Sequence, residues 1–303
     1  MAKIYELIIA GGGPAGITAA VYAARKKLDF LLITKDIGGQ AAWSGDIENY
    51  TGYQFVTGPE LAQKFEEHAR KYNFPINENE GITGISRENG LITVKSEKDA
   101  YQTRTLVIAS GKRSRELGVP GEKELKNRGV AYCATCDGPL FTGKDVAVIG
   151  GGNSALDAAL QMIKIAKHVY LVNNTPKLAG DSIMLEKLGG AANVTVYNDS
   201  SVESIKGEKF VTGIVIDTKG VKKEIFLQGV FVEIGLLPNS EFAGIAKRNS
   251  KNEILVNNAA ETDIPGIFAA GDVTDVPEKQ IIIAAGEGAK ATLSAFKYLM
   301  THN

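Results

Sequence analysis

Residues 5–34 read YELIIAGGGPAGITAAVYAARKKLDFLLIT, and this stretch decides the fold. The apolar run at 5–10 has the length of a buried strand. GGGPAG at 11–16 places Gly11, Gly13 and Gly16 in GxGxxG spacing directly after it. Glycines there permit a tight turn, let the backbone approach a pyrophosphate and let a helix pack closely on a sheet. ITAAVYAARKK, rich in small apolar residues, then suits a helix on a sheet, and DFLLIT a second strand. The whole is a βαβ unit. Its strand is expected to end at Thr34-Lys35, which leaves the acid that would hold a ribose about 20 positions on missing.

A second unit of the same design starts inside the chain. KDVAVIG reads as a strand, GGNSA as a turn, LDAALQMIKIA as a helix and HVYLV as a strand, with Gly150, Gly152 and Ala155 forming GxGxxA. Two such units mean two nucleotide-type domains, either in succession or one inserted into the other. At the end of the second unit's last strand an acid would favour NAD, and arginines would clamp the 2′-phosphate of NADP. Asn173 and Asn174 stand there instead, no arginine occurs between Arg128 and Arg248, and Lys177 is the nearby cation. Elsewhere, 59–72 places Leu61, Phe65, Ala69 and Tyr72 on one helical face, 101–109 runs into a strand, and the chain ends in a strand, a loop and a long helix.

The chain has 303 residues, 44% hydrophobic and 23% charged, with 34 glycines and a formal net charge of −1. That length favours two domains or one large α/β unit. The near-zero charge supplies no field toward nucleic acid or an anionic membrane. No apolar stretch approaches the roughly 18 residues of a membrane span, and the start lacks a signal-peptide pattern, so a cytoplasmic protein is expected.

Both cysteines fall in AYCATCDGPL at 131–140, as Cys133 and Cys136, with Asp137 next. In a reducing compartment a CxxC is a redox pair or half of a metal site. A zinc site would need further ligands, and His68, His168 and His302 are scattered, so no metal is expected. A thiol at a helix start is made nucleophilic by the positive end of the helix. Asp137 reads either as a proton donor and acceptor for thiol exchange or as a helix cap.

GGGPAG at 11–16, GGQ at 38–40, ENYTG at 48–52, CATCDG at 133–138, GGGNSA at 150–155 and PGIFAAGD at 265–272 followed by KQIIIAAGEG resemble, in order and spacing, the low-molecular-weight FAD-containing thioredoxin reductase family. The resemblance covers essentially the whole chain. It implies an α/β fold of two Rossmann-like domains, with an FAD domain from 1–115 and 245–303 and a CxxC domain inserted at 116–244, and a homodimer. Gly11, Gly13, Pro14, Ala15, Gly16, Gly39, Gln40, Asn49, Gly271, Asp272, Gln280 and Ile281 are the implied FAD contacts. Cys136 is implied to face the flavin and Cys133 to attack the disulfide of thioredoxin, with Asp137 moving the proton. Alkyl hydroperoxide reductase flavoproteins share the fold with an added N-terminal redox domain, whereas this chain begins at the first strand.

Two departures stand out. The family's nicotinamide segment has a histidine and two arginines where this chain has Asn173, Asn174 and Thr175, and a further arginine aligns with Ala179. Trp43 replaces small hydroxyl residues near the flavin, and reads either as core or interface packing or as a flavin neighbour. Together these resemble the ferredoxin-dependent flavin thioredoxin reductases, which do not use pyridine nucleotide. A gap of about 130 mV between ferredoxin and thioredoxin would release about 6 kcal/mol for two electrons. An acidic ferredoxin would need a basic surface, for which Arg25-Lys26-Lys27 and Lys112-Arg113-Arg115 are candidates. The alternatives are NAD(P)H at an atypical site, or a flavin-binding redox sensor.

Overall fold

The computed structural model describes residues 3–43, 46–47 and 49–302; the side chains of Trp43, Asp46 and Cys136 lie outside the described set, and the reading of Trp43 with them. The chain divides into two compact units, 1–113 with 237–303, and 114–236. The return crossing lies at 236/237 instead of the expected 244/245. Its physical reason is the core: Ala243 and Ala246 are buried with Ile8, Ile108 and Ile254 of the first unit.

The first unit is a seven-stranded sheet in the order β5 (Ile76–Asn77), β2 (Phe30–Ile37), β1 (Ile4–Gly12), β8 (Ala100–Ile108), β7 (Leu91–Ser96), β6 (Ile82–Glu88). β19 (Ile267–Ala269) pairs in parallel with the second half of β8, whose first half pairs antiparallel with β7. Successive side chains of a strand point to opposite faces. Leu7 and Ile9 therefore join Phe30, Leu32, Val107 and Phe268 under α1 (Pro14–Arg25) and α6 (Ile281–Thr301), while Ile8, Leu31, Ile33, Leu106 and Ile108 bury the other face. Both faces are covered, which is why these strands read as unbroken apolar runs. α2 (Gly58–Arg70) starts with a capping box between Thr57 and Glu60, beside the short pair β3 (Asp46–Ile47) and β4 (Val56–Thr57).

The second unit has a parallel sheet in the order β10 (Val130–Ala131), β17 (Gly229–Val232), β11 (Asp145–Ile149), β12 (His168–Val172), β13 (Val194–Tyr197). On one face α4 (Asn153–Met162) buries Ala155, Leu156, Ala159 and Met162 against Val146, Val148, Leu171 and Phe231. α5 (Ser182–Gly189) adds Leu188 to that core. The other face is covered by an antiparallel sheet, β14 (Ser200–Gly207), β15 (Val211–Thr218) and β16 (Val221–Phe226), through Val202, Ile205, Ile214, Ile216 and Ile225. The two crossings pair as β9 (Lys112–Ser114) and β18 (Leu236–Pro238), and α3 (Ala134–Asp137) carries the CxxC segment. Among the described residues no helix is long and apolar enough to cross a membrane.

Candidate functional site

In the first unit the glycine turn is forced by close approach. Gly11 has φ +118°, and a Cβ on it would lie 2.3 Å from the Ala109 carbonyl oxygen; one on Gly16 would lie 1.8 Å from the Gly11 oxygen. Gly13 is different. It is the extended N-cap of α1, nothing lies within 4 Å of where its Cβ would stand, and no side chain caps the helix. Open space before a run of unsatisfied N–H groups is what an anion needs. Pro14 opens the helix and Ala15 is buried behind it.

Other segments converge on this turn. Gly39, at φ +52°, comes within 3.2 Å of the Gly13 Cα, measured from its own would-be Cβ. Gly271 packs on Ala15 and donates its N–H to the buried carboxylate of Glu287 at 2.7 Å. Asp272 follows. Burial holds its carboxyl above the usual range, against the pull of Lys279 and Lys112. Asn49 donates to the Gln280 side chain at 3.0 Å, and Gln280 is the N-cap of α6, whose first residue is Ile281. Gln40 donates to the Lys112 carbonyl at 3.0 Å, while the Lys112 ammonium pairs with Glu253 at 2.8 Å. The structure thus brings Gly11, Gly13, Pro14, Ala15, Gly16, Gly39 and Gly271 together, and pairs Asn49 with Gln280.

Two readings need correction here. An acid does stand at the end of β2: the strand runs on to Ile37, paired with Gly12, and contains exposed Asp36, whose carbonyl lies 2.5 Å from a Cβ placed on Gly12. The signal was the TKDI continuation after the apolar run. Lys112, taken as a docking cation, is only 12% exposed and paired with Glu253, so it offers no surface charge. With Asp36 added, the cradle, the uncapped helix start and the desolvated Asp272 fit an FAD.

The second glycine turn has the same backbone and different surroundings. Gly150 at φ +140° lies against the Glu233 carbonyl, whereas Gly152, the N-cap of α4, has the Ala179 carbonyl oxygen 4.0 Å from where its Cβ would stand and no side chain capping the helix. Asn173 is 2% exposed and fully committed: its amide donates to Thr175 O and Asn198 Oδ1, each at 3.0 Å, and its oxygen accepts from Thr175 Oγ1 at 2.9 Å. The loop then folds back, with the Ala179 N–H donating to Gly151 O at 2.7 Å. Lys177 on this loop is exposed. Asn173 serves the loop, and the residue at the strand end is neither the acid that grips a ribose nor the arginine that grips a 2′-phosphate. Missed by sequence reasoning was Glu233, an acid closing the apolar run GVFV. Burial pushes its carboxyl up to about 7, with Asp157 adding to the shift and the hydrogen bond from Ser154 opposing it.

Cys133 precedes α3 and is disulfide-bonded and half-buried. Its carbonyl accepts the first helical bond, from the Asp137 N–H at 3.1 Å. The segment is seated on α4: Thr135 donates to Gln161 at 2.8 Å, and a Cβ on Gly138 would lie 3.1 Å from the Met162 sulfur. Tyr132 is tied down beside it, donating at 2.8 Å to Glu122, which is 0% exposed and also accepts from the N–H groups of Leu117 and Gly118. Asp137 occupies the N-cap position of the 3-10 turn Gly138–Phe141 yet makes no capping bond. Burial raises its pKa. A carboxyl whose pKa is raised by burial and whose oxygens are unspent on capping is suited to moving protons.

The pyridine nucleotide-disulphide oxidoreductase family matches residues 5–288. The chain is 44% identical over 310 residues to an alkyl hydroperoxide reductase component of Pseudomonas aeruginosa, covering 98% of this chain and 58% of that protein. It is 42% identical to an NADH dehydrogenase of Bacillus subtilis, over 98% of this chain and 59% of that one. The chain therefore spans less than two thirds of the length of these relatives. Among solved structures, thioredoxin reductase of Lactococcus lactis superposes with TM-score 0.89 at 34% identity, covering 98% of this chain and 99% of the other. That of T. acidophilum gives 0.85 at 35%, covering 97% and 98%. With the match running through both glycine turns and the CATCD segment, this chain belongs to the pyridine nucleotide-disulphide oxidoreductase family, as an FAD-binding, thioredoxin reductase-like flavoprotein oxidoreductase.

Proposed function

We propose that this protein reduces thioredoxin through FAD and the Cys133–Cys136 pair, with reduced ferredoxin as its electron donor. The observation that carries the disulfide chemistry is the CATCD segment: Cys133 half-buried and disulfide-bonded at a helix start, with Asp137 uncapped and raised in pKa. The likeness to thioredoxin reductases at 34–35% identity supports the acceptor. By the same resemblance we take the protein to act as a homodimer in the cytoplasm.

FAD, when bound, supplies the two electrons that reopen the disulfide. Gly11, Gly13, Pro14, Ala15 and Gly16 would hold its pyrophosphate at the start of α1, and Asp36 a ribose. Gly39, Gln40, Asn49, Gly271, Asp272, Gln280 and Ile281 would hold the remainder. In the exchange the Cys133 thiolate attacks one sulfur of the thioredoxin disulfide; that S–S bond breaks, and the departing thiolate takes a proton. Asp137 supplies it. Cys136 then attacks Cys133 in the mixed disulfide, releasing the second thioredoxin thiol and restoring the internal disulfide.

The donor assignment rests on Asn173, whose side chain is spent on its own loop where an acid or arginine would grip a nucleotide. A second reading, NADH as donor, is favoured by the start of α4, which no side chain caps, and by the NADH dehydrogenase relative. Anaerobic mixing of the FAD-loaded protein with NADH, NADPH or reduced ferredoxin decides between them. The expected result is loss of oxidised flavin absorbance with ferredoxin alone; rapid bleaching by a nicotinamide overturns the donor. Replacing Cys133 with Ser should abolish thioredoxin reduction while FAD still accepts electrons. A redox sensor would instead show no thioredoxin turnover in the unaltered protein.

A further inference from the structure

Open α/β sheets take a dinucleotide in the crevice at the carboxyl ends of their strands. In the second unit that edge carries an acid. Glu233 directly follows β17, and its N–H donates to Ile149 O at 2.8 Å, at the end of the neighbouring β11. Its carbonyl lies 2.2 Å from where a Cβ on Gly150 would stand. Its carboxyl accepts the hydroxyl of Ser154, in the first turn of α4. One residue thus touches the strand end, the first glycine of the turn and the start of the helix.

The start of α4 is where a pyrophosphate would seat, since unsatisfied N–H groups and the helix dipole favour an anion there. The charged groups bearing on Glu233 are acidic: Asp157, one turn further along α4, is the one that acts on it. The groups that act on the Glu233 carboxyl are Ser154 and Asp157, neither of them a cation. A pyrophosphate entering this turn brings more negative charge to two carboxyl groups, and like charges brought together without a counter-ion weaken binding. We propose that Glu233, held by Ser154, is the specificity-determining residue that closes the second glycine turn to pyridine dinucleotides. The inference rests on the reading of a donor other than a nicotinamide. Burial raises the Glu233 pKa to about 7, so the carboxyl is half ionised there and the closure strengthens as pH rises through that point.

The test is calorimetric titration of the FAD-loaded protein with NAD+ and with NADP+, which bring no electrons, at pH 6 and pH 8. Glu233→Gln keeps the size and the hydrogen-bond partner and removes the charge. At pH 8 it should bind NAD+ about tenfold more tightly than the unaltered protein, with the difference shrinking at pH 6. Glu233→Ala should shift affinity in the same direction, and serves if the glutamine variant melts early. Affinity no tighter in the variants at pH 8, or a gain equal at both pH values, overturns the proposal. Bleaching of the unaltered flavin by NADH would overturn the ferredoxin reading and, since the turn would then admit a dinucleotide, this proposal with it; variants that gain no affinity while NADH leaves the unaltered flavin oxidised would overturn the proposal alone.

Discussion

Asp137 shows how a position that suits one role can serve another. It stands where a capping aspartate would stand, but its side chain makes no capping bond, and burial raises its pKa. A raised carboxyl keeps its proton to a higher pH than a free one, and gives it up as pH rises further. Thioredoxin reduction should therefore fall on the alkaline side of the Asp137 titration. Asp137→Asn should lower the rate about 100-fold and flatten that limb, while flavin reduction is unaffected. An unchanged pH profile in the variant would return Asp137 to a structural role. Glu233 makes a prediction about stability. Its pKa moves from 4.5 in the unfolded chain to about 7 in the folded one, so folding favours the protonated form. The stabilisation is complete below about pH 4.5 and is lost as pH rises to 7, worth roughly 3 kcal/mol at 1.36 kcal/mol per pKa unit. Denaturant midpoints measured across that window should fall for the unaltered protein and stay level for Glu233→Gln.

At the scale of elements, α6 offers a test of why these glycines are where they are. Gly286 is exposed, with nothing within 4 Å of a would-be Cβ, while a Cβ on Gly288 would lie 1.9 Å from the Ala15 carbonyl oxygen of α1. Gly286→Ala should stabilise by about 0.5–1 kcal/mol through helix propensity. Gly288→Ala should destabilise by about 2–3 kcal/mol and loosen FAD, because α6 must retreat from the helix whose start forms the cradle. Thermal melts and flavin content per chain read both; equal effects at the two positions would mean that the α1–α6 approach does not shape the site. Much of this packing was legible in advance, since strands buried on both faces print continuous apolar runs and the glycine spacing marks the turns. Boundaries were less so. α1 begins at Pro14, not at Ile17, because Gly13 is already extended as its cap, and β2 continues through Lys35 and Asp36 on its pairing with β1. The antiparallel sheet β14–β16 was not foreseen: its exposed lysines broke up an alternation whose apolar half is buried. Nor could a local pattern show that Lys112 meets Glu253, which lies 141 residues further along the chain.

At the scale of the whole molecule, a net charge of −1 means that any attraction for an acidic donor must come from uneven distribution. The burial of Lys112 and the pairing of Arg113 with Glu241 at 2.6 Å remove much of one candidate patch. Arg25, Lys26 and Lys27 at the end of α1 are all exposed, and the Lys26 ammonium sits 4.8 Å from the Phe296 ring centroid. Arg25 and Lys27 are therefore the cleaner probes. If ferredoxin docks by charge, the Arg25→Glu, Lys27→Glu double variant should cut ferredoxin-driven flavin reduction about tenfold at low salt, as lost steering does. The gap should close as ionic strength rises and the charges are screened over about 10 Å at 0.1 M. Reduction of FAD by dithionite supplies the control, since a small reductant needs no docking surface and should be indifferent to both substitutions. Equal ferredoxin rates at low salt would exclude this end of α1 from the encounter. A gap that persists at high salt would instead point to damage in the α1–α6 packing, which the melts and flavin content of the Gly288→Ala experiment would expose independently.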